Sequence, residues 1–179
     1  MPRRLDGVPV AILTLSDTVA RGRGEDTSGA VIADALGAAG ATIVRRDVLS
    51  DDRETISAAL ARYADQDRVA LVLTTGGSGL GPRDITPEAT LAVVDRLAPG
   101  LVEAARAQTY ARTPLAMLSR AVAGVRGQTL IVNFPGSPSA VREWLEILLP
   151  VLPHAVRLVQ GATGPWGHDH RAEDPGSAE

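Results

Sequence analysis

Residues 74–90, TTGGSGLGPRDITPEAT, constrain the fold more than any other part of the chain. They follow the apolar residues 69–73, which predict a buried strand, and their glycines allow positive φ and close approach of backbone N–H groups to a ligand. Thr86 and Pro87 then predict the N-cap and the first residue of a helix. A strand, a glycine turn and a helix N-terminus in this order are typical of an α/β fold with a phosphate site.

Strand and helix patterns alternate along the chain. The predicted strands cover residues 8–15, 42–48, 69–74 and 129–134. The predicted helices cover residues 28–39, 52–65, 86–97, 100–110 and 138–159, the last with a break near residues 150–153, and residues 111–128 are predicted as a loop. Strands separated by helices require right-handed crossover connections that cover both faces of a sheet. We therefore predict an α/β fold, a three-layer α/β/α sandwich with a mostly parallel sheet.

The size of the chain indicates one domain. A chain of 179 residues with 45% hydrophobic content can bury one good core. We expect residues 1–161 to form it, because residues 162–179 carry glycine, proline and charge without periodicity and so predict a tail without fixed structure. The first apolar stretch, of about eight residues, is too short for a membrane span or a signal peptide. The absence of cysteine excludes disulfides and favours a cytoplasmic location.

Composition excludes several classes of function. A net charge of −3 and an aromatic content of 3% make nucleic acid an improbable partner. All 18 basic residues are arginine, so the lysine of a P-loop and the lysine of Schiff-base chemistry are both missing. The dinucleotide fingerprint also fails, because Pro82 stands where its third glycine should be.

Four predicted loops begin at strand carboxyl ends, where parallel α/β sheets bind their ligands. They carry Ser16 and Asp17, then residues 50–53, then the glycine turn with Arg83 and Asp84, and finally residues 133–138. Arginine suits phosphate, and aspartate suits Mg²⁺. The predicted phosphate-binding residues are Gly76, Gly77, Ser78, Gly79, Arg83, Pro135, Gly136 and Ser137, and Ser137 is also expected to cap the last helix.

Several ordered motifs carry a resemblance to a known family. They are GGSGLGPRDITPEAT, PGLVEAAR, TPLAMLSRAVAGVRG and LIVNFPGSP. Over residues 8–161 the chain resembles the molybdopterin-binding family of molybdenum cofactor biosynthesis, most closely the adenylyltransferases of the MogA and MoaB type. The resemblance implies transfer of AMP from ATP to the phosphate of molybdopterin, with release of pyrophosphate and with Mg²⁺ as cofactor. It also implies a homotrimer or hexamer and, as a downstream partner, the molybdate-inserting protein.

The family motifs place roles on particular residues. The family's catalytic aspartate falls on Asp51, although Ser50 stands where proline is usual. A second functional aspartate falls on Asp84, and the resemblance makes these two the catalytic and Mg²⁺-binding pair. The family's pterin-site serine matches Ser119, followed by Arg120. With Ser16 and Asp17, these residues form the predicted pterin-binding set.

Each assignment has a simpler alternative. Asp51 also fits the first position of a helix capping box, and Asp84 could pair with Arg83 or brace the turn. The run His168-Asp169-His170 could suggest a metal site, but it lies in the predicted tail without further ligands. For the whole chain, the alternative is a non-catalytic MoaB-like paralogue that binds the pterin or serves as a scaffold. The presence of both aspartates favours the enzyme.

Overall fold

A single six-stranded sheet organises the protein. The computed structural model describes residues 4–161, so the predicted tail at 162–179, with its histidines, lies outside the described residues. The strands are β1 (Pro9–Leu15), β2 (Thr42–Leu49), β3 (Leu71–Thr75), β4 (Arg96–Leu97), β5 (Ala123–Arg126) and β6 (Thr129–Phe134). The helices are α1 (Asp17–Ala20), α2 (Thr27–Ala38), α3 (Arg53–Asp65), α4 (Thr86–Leu91), α5 (Pro99–Tyr110), α6 (Pro138–Leu148) and α7 (Leu152–Val159), with a 3-10 helix at Pro114–Leu118.

The strand order is β2-β1-β3-β6-β5-β4. Strands β2, β1, β3 and β6 pair in parallel, whereas β5 runs antiparallel to both β6 and β4. The four parallel strands therefore end at one edge of the sheet, which we call the carboxyl edge; the opposite one is the amino edge. From β1 the chain adds β2 on one side and then β3 on the other. The gap between β1 and β3 is a topological switch point, where such sheets bind ligands.

Two apolar layers cover the sheet. Along β1, Val10 and Ile12 face the core that contains α2, α5, α6 and α7, while Ala11 and Leu13 face the core of α3 and α4. This period-two alternation buries both faces of a central strand, as expected for a parallel sheet between helices. The predicted three-layer α/β/α sandwich is confirmed. Within residues 4–161, no helix combines the length and the apolar character that crossing a membrane requires.

The predicted helix over residues 86–97 is wrong in its second half. Helix α4 ends at Leu91, and the chain then turns into β4. The backbone N–H of Asp95 donates to the Val125 carbonyl oxygen at 2.7 Å, and its carboxylate accepts the N–H of Gly127 at 2.6 Å. Hydrogen bonding to β5 and to the turn after it therefore replaces the helical pairing that the local pattern favours.

The prediction of a loop through residues 111–128 missed β5. This strand is only four residues long, and Gly124 interrupts it. A Cβ at Gly124 would lie 2.9 Å from the Arg96 carbonyl oxygen, so a residue without a side chain lets β4 approach. The helix break near Pro150 is confirmed, because α6 ends at Leu148 and α7 begins at Leu152. The two short antiparallel strands β4 and β5, on one side of the sheet, are absent from the sequence-based prediction.

Candidate active site

An acidic cluster lies at the carboxyl edge, where the loops after β1, β2 and β3 meet. Ser16 caps the short helix α1, accepting the N–H of Val19 at 3.3 Å, and so orients Asp17. The backbone amide of Asp17 lies close to the Asp51 carboxylate and acts to lower its pKa. Arg83 pairs with the Asp17 carboxylate at 2.5 Å and approaches the Asp51 carbonyl oxygen at 3.5 Å. Two aspartates and one arginine from three loops thus meet in one place.

Asp51 is not the cap of α3. That role belongs to Asp52, whose carboxylate accepts the backbone N–H of Thr55 at 2.8 Å, so the capping alternative for Asp51 is wrong. The Oδ1 atom of Asp51 is buried without a hydrogen-bond partner in residues 4–161. Oδ1 of Asp17 also has no hydrogen bond there, and its nearest cation is Arg21 at 3.9 Å. Since an unpartnered buried carboxylate oxygen is unfavourable, this pair of oxygens suits a bound cation or donor.

The environment of Asp51 raises the pKa of its carboxyl group. Burial is the largest cause, and the negative charges of Asp17 and Asp84 act in the same direction. The Asp17 amide and the charge of Arg83 oppose them without cancelling them. Additional positive charge near Asp51 would therefore stabilise the ionised form of its carboxyl group.

Next to this cluster, the glycine turn presents free backbone donors. Gly76 has φ of 96° and Gly77 has φ of 62°, values that side chains disfavour. A Cβ at Gly77 would overlap the Thr86 hydroxyl and lie 3.1 Å from Oδ1 of Asp51. Within residues 4–161, the N–H groups of Gly77, Ser78 and Gly79 donate no hydrogen bond. Consecutive free N–H groups in such a turn form an anion-binding concavity.

Three side chains hold the glycine turn in place. The predicted N-cap role of Thr86 is wrong, because Ile85 is the N-cap, and the Thr86 hydroxyl instead donates to the Gly76 carbonyl oxygen at 2.9 Å. The Asp84 carboxylate accepts the N–H of Gly81 at 2.7 Å, so the bracing alternative is confirmed for Asp84. Arg120 donates to the Gly79 carbonyl at 2.7 Å and to the Asp84 carbonyl, and it pairs with Glu88. The Arg120 guanidinium is thus committed to shaping the turn.

Two cavities open beside these groups. The strand-end cavity, of about 210 Å³, is lined among others by Thr14, Ser16, Asp26, Ser28, Gly76 and Gly136. The helical cavity, of about 290 Å³, is lined among others by Thr109, Ser119, Pro135, Ser137, Glu143 and Trp144. Alternate residues of the 135–138 loop line one cavity or the other, so the two cavities are neighbours.

The sequence prediction divided the binding residues into a phosphate set and a pterin set, and the two cavities group these residues differently. Ser16 lines the strand-end cavity, whereas Ser119 lines the helical cavity with Pro135 and Ser137. Ser137 also caps α6, as predicted, by accepting the N–H of Ala140 at 3.3 Å. The hydroxyl of Ser78 donates inward to the Phe134 carbonyl at 3.4 Å, so this residue offers only its backbone to the turn.

Sequence reasoning missed the buried amide that joins these loops. Asn133 is fully buried, and its amide nitrogen donates to the hydroxyls of Thr74 at 3.0 Å and Thr90 at 2.9 Å. Its amide oxygen accepts the N–H of Val122 at 3.3 Å. These bonds tie β3, α4 and the segment after Ser119 to β6. The signal was present as an asparagine near the end of the mostly apolar strand β6.

The arrangement suits phosphate chemistry that uses a divalent cation. Within the described part of the chain, no three His, Cys, Asp or Glu side chains converge closely enough to hold a metal alone. Mg²⁺ is usually bound by one or two carboxylates together with substrate phosphates, and the unpartnered oxygens of Asp51 and Asp17 beside the turn amides fit that pattern. The fold and the site are those of an α/β protein with a candidate phosphate site at the switch point of its sheet.

Comparison with known proteins identifies the family. Residues 11–154 match the family described as "Probable molybdopterin binding domain". The chain belongs to this family. The molybdopterin biosynthesis enzyme MoaB from Thermus thermophilus has a similar structure, with a TM-score of 0.82 and 47% identity over 87% of this chain and 98% of that one.

Curated relatives differ in length. The molybdopterin adenylyltransferase of Helicobacter pylori strain J99 is 37% identical over 86% of this chain and 89% of its own length. The molybdenum cofactor synthesis protein cinnamon of Drosophila melanogaster is 35% identical over 98% of this chain, but the chain spans only 29% of that protein. The chain is therefore similar both to nearly the whole of one relative and to one part of a much longer one.

Proposed function

We propose that this protein is a molybdopterin adenylyltransferase, which transfers AMP from ATP to the phosphate of molybdopterin and releases pyrophosphate. The observation that carries the proposal is the unpartnered, buried oxygen of Asp51 beside the free N–H groups of the glycine turn. Anion donors and an uncompensated carboxylate side by side suit a phosphate with its cation. The name and 37% identity of the Helicobacter pylori relative support this reaction.

The reaction requires no strong base. An oxygen of the molybdopterin phosphate forms a bond to the α-phosphorus of ATP, and the bond from that phosphorus to the bridging oxygen breaks. Pyrophosphate leaves with the electron pair. Because the attacking phosphate is largely ionised at neutral pH, the protein must mainly bring like charges together and stabilise charge on the leaving group.

The residues of this chain divide that task. The N–H groups of Gly77, Ser78 and Gly79 hold phosphate oxygens, and Arg83 is close enough to exchange its Asp17 partner for a phosphate. Asp51 and Asp84 would hold Mg²⁺ together with the substrate phosphates. When bound there, Mg²⁺ supplies charge neutralisation for the phosphates and the leaving pyrophosphate.

The two cavities suggest where each substrate lies. We assign the nucleotide to the strand-end cavity, which borders Gly76 and Gly136, and the pterin to the helical cavity, which contains Ser119. With the 135–138 loop between them, the reacting phosphates would meet over the glycine turn. This arrangement moves Pro135 and Ser137 to the pterin side and Ser16 to the nucleotide side.

Exposed apolar side chains support self-association, and we propose a homotrimer or a multiple of it. Leu97, Leu115 and Met117 are 56%, 71% and 69% exposed, and Tyr110 and Leu118 are also exposed. Large apolar side chains gathered in residues 97–118 are typical of an interface. Sedimentation at micromolar concentration should give a trimer or hexamer, whereas an active monomer would contradict this part of the proposal.

The proposed reaction is tested by incubating the protein with molybdopterin, ATP and Mg²⁺ and measuring pyrophosphate and adenylylated pterin. We expect both products in equal amounts, and neither when EDTA removes the metal. A non-catalytic paralogue would bind molybdopterin without forming either product. GTP in place of ATP serves as the control for nucleotide specificity.

A further inference from the structure

The helical cavity contains polar atoms that the fold leaves without partners. The carboxylate atom Oε2 of Glu143 and the hydroxyl of Thr109 are both buried without a hydrogen bond in residues 4–161. Thr109 is only 4% exposed, and both residues line the same cavity of about 290 Å³. Two unpartnered polar groups in one cavity are costly unless a ligand completes them.

Three elements fix the position of these groups. Thr109 lies in the last turn of α5, and Glu143 lies in α6 next to Trp144, which is 2% exposed and packs edge-on against Phe134. The 3-10 helix contributes Leu115 to the wall of the cavity. The walls therefore combine apolar and aromatic surface, which suits a flat ring, with one carboxylate, which suits a donor on the edge of that ring.

The chemistry of the carboxylate distinguishes between ring edges. A 2-amino-4-oxo-pyrimidine, as found in pterins and guanine, presents an amino group beside a ring N–H, and a carboxylate accepts from both. Adenine presents its amino group beside a ring nitrogen that is a hydrogen-bond acceptor. A carboxylate is also an acceptor, so it would be repelled by that nitrogen. Among the described residues that line this cavity there is no arginine to pair with the carboxylate.

We infer that Glu143 is the residue that selects the pterin ring, by accepting hydrogen bonds from its 2-amino group and the neighbouring ring N–H. Thr109 supplies a second polar contact deeper in the same cavity. This role rests on the proposed function only for the identity of the natural ligand, since the binding of a 2-amino-4-oxo ring can be measured without catalysis. Glu143 is a specificity residue in the helical cavity.

The test compares two probes that differ at one group. Wild-type protein is titrated with 6-hydroxymethylpterin and with 6-hydroxymethyllumazine, in which an oxo group replaces the 2-amino group, and ligand fluorescence is followed to millimolar concentration. We expect the wild type to prefer the pterin by about tenfold or more, since hydrogen bonds to a charged group are strong. In Glu143→Gln this preference should fall close to one.

Matched variants complete the experiment. Glu146→Gln removes an exposed carboxylate one turn along the same helix, where it pairs with Arg112 at 3.5 Å, and should keep the wild-type preference. Thr109→Val should weaken both probes without changing their ratio. ATP affinity and thermal midpoint are measured for each variant, and a Glu143→Gln protein that loses ATP binding would indicate a structural role and contradict the inference.

The outcomes separate this inference from the proposed function. If Glu143→Gln retains the wild-type preference, or if the wild type shows no preference between the probes, Glu143 does not select the ring. If the ring preference depends on Glu143 but the wild type transfers no AMP to molybdopterin, the adenylyltransferase proposal fails and the ring site stands.

Discussion

Asp51, at the carboxyl edge of the sheet, lies in the opposite kind of environment to Asp65 and Asp67, at the amino edge. At the amino edge, Asp65 pairs with Arg126 at 2.6 Å and Asp67 pairs with Arg45 at 3.0 Å, and these arginines lower the pKa of both carboxyl groups. At the carboxyl edge, the pKa of Asp51 is raised and one of its oxygens has no partner in residues 4–161. The first pairs are satisfied within the fold, whereas the second edge holds charge that the fold alone does not satisfy.

This difference separates stabilising charges from functional ones. An unfavourable arrangement persists at the carboxyl edge because surrounding contacts, such as the Thr86 to Gly76 hydrogen bond and the Arg120 clamp, hold the loops together. Perturbed carboxylates in a cavity are typical of functional sites. Paired substitutions, one at each edge, test this difference.

The largest effect should come from Gly77→Val. A side chain at this position would overlap the Thr86 hydroxyl and would need φ of 62°, so it should deform the turn and abolish ATP binding in calorimetry. Gly127→Val is the matched control, since Gly127 has φ of 52° but lies at the amino edge with open space around it. We expect the control to lose stability and to keep its ATP affinity. Equal ATP affinity in both variants would remove the turn from the nucleotide site.

The next largest effect concerns catalysis. Asp51→Asn and Asp84→Asn should each lower kcat by about 10² or more, because charge neutralisation in the transition state is lost while pterin binding is not. Asp65→Asn, at the amino edge, should stay within about threefold of the wild type, as expected for a surface pair. Pyrophosphate release measures all three. Wild-type rates in both carboxyl-edge variants would show that the comparison between the edges has no functional meaning.

Stability should respond with opposite sign at the two edges. The pKa of Asp51 is raised on folding, so ionisation of its carboxyl group lowers the stability of the fold as the pH rises from the ordinary aspartate pKa through the raised one. Asp51→Asn should therefore increase the thermal midpoint at neutral pH. The pKa of Asp67 is lowered, so its ionised carboxylate stabilises the fold at neutral pH. This stabilisation is lost as the pH falls through the lowered pKa. Asp67→Asn should therefore decrease the midpoint. Thermal scans from about pH 3 to about pH 8 span the ordinary aspartate pKa, and a shift of the same sign in both variants would refute the contrast.

The smallest effect is expected at Ser119. Its hydroxyl accepts the N–H of Ala121 at 3.3 Å and lines the helical cavity. Ser119→Ala should weaken pterin binding by about 1–3 kcal/mol, the cost of one unmade hydrogen bond, and should leave ATP affinity unchanged. Calorimetry with each ligand separately decides, and loss of ATP affinity with intact pterin binding would exchange the assignments of the two cavities.

The sequence predicted the parallel part of the fold because its signals are local. The apolar runs of β1, β3 and β6 appear as predicted, and α3 lies within the range predicted for a helix. Strands β4 and β5 could not be predicted, because strands of only two and four residues depend on pairing with neighbouring strands.

The candidate site was also predicted only in part from the sequence. Motif resemblance pointed to Asp51, Asp84 and the glycine turn, which lie at one edge of the sheet as the strand ends predicted. The sequence marked Asp17 by its place at a strand end but gave no sign of Glu143, and the oxygens that these two residues leave without a hydrogen bond depend on which loops and helices face each other. The roles of all these residues in catalysis and binding stay predictions for the experiments above.

The contrast between the two edges is tested most directly by titrating the Asp51 carboxyl group by carbon-detected NMR, with and without Mg²⁺ and a non-hydrolysable ATP analogue. We expect a pKa above the ordinary value of about 3.9 in the free protein and a marked decrease when cation and nucleotide bind. Asp65 serves as the internal reference, with a lowered pKa that does not change. A pKa of Asp51 at or below the ordinary value, or one that does not respond to the cation and nucleotide, would contradict a functional role for the unsatisfied charge at the carboxyl edge.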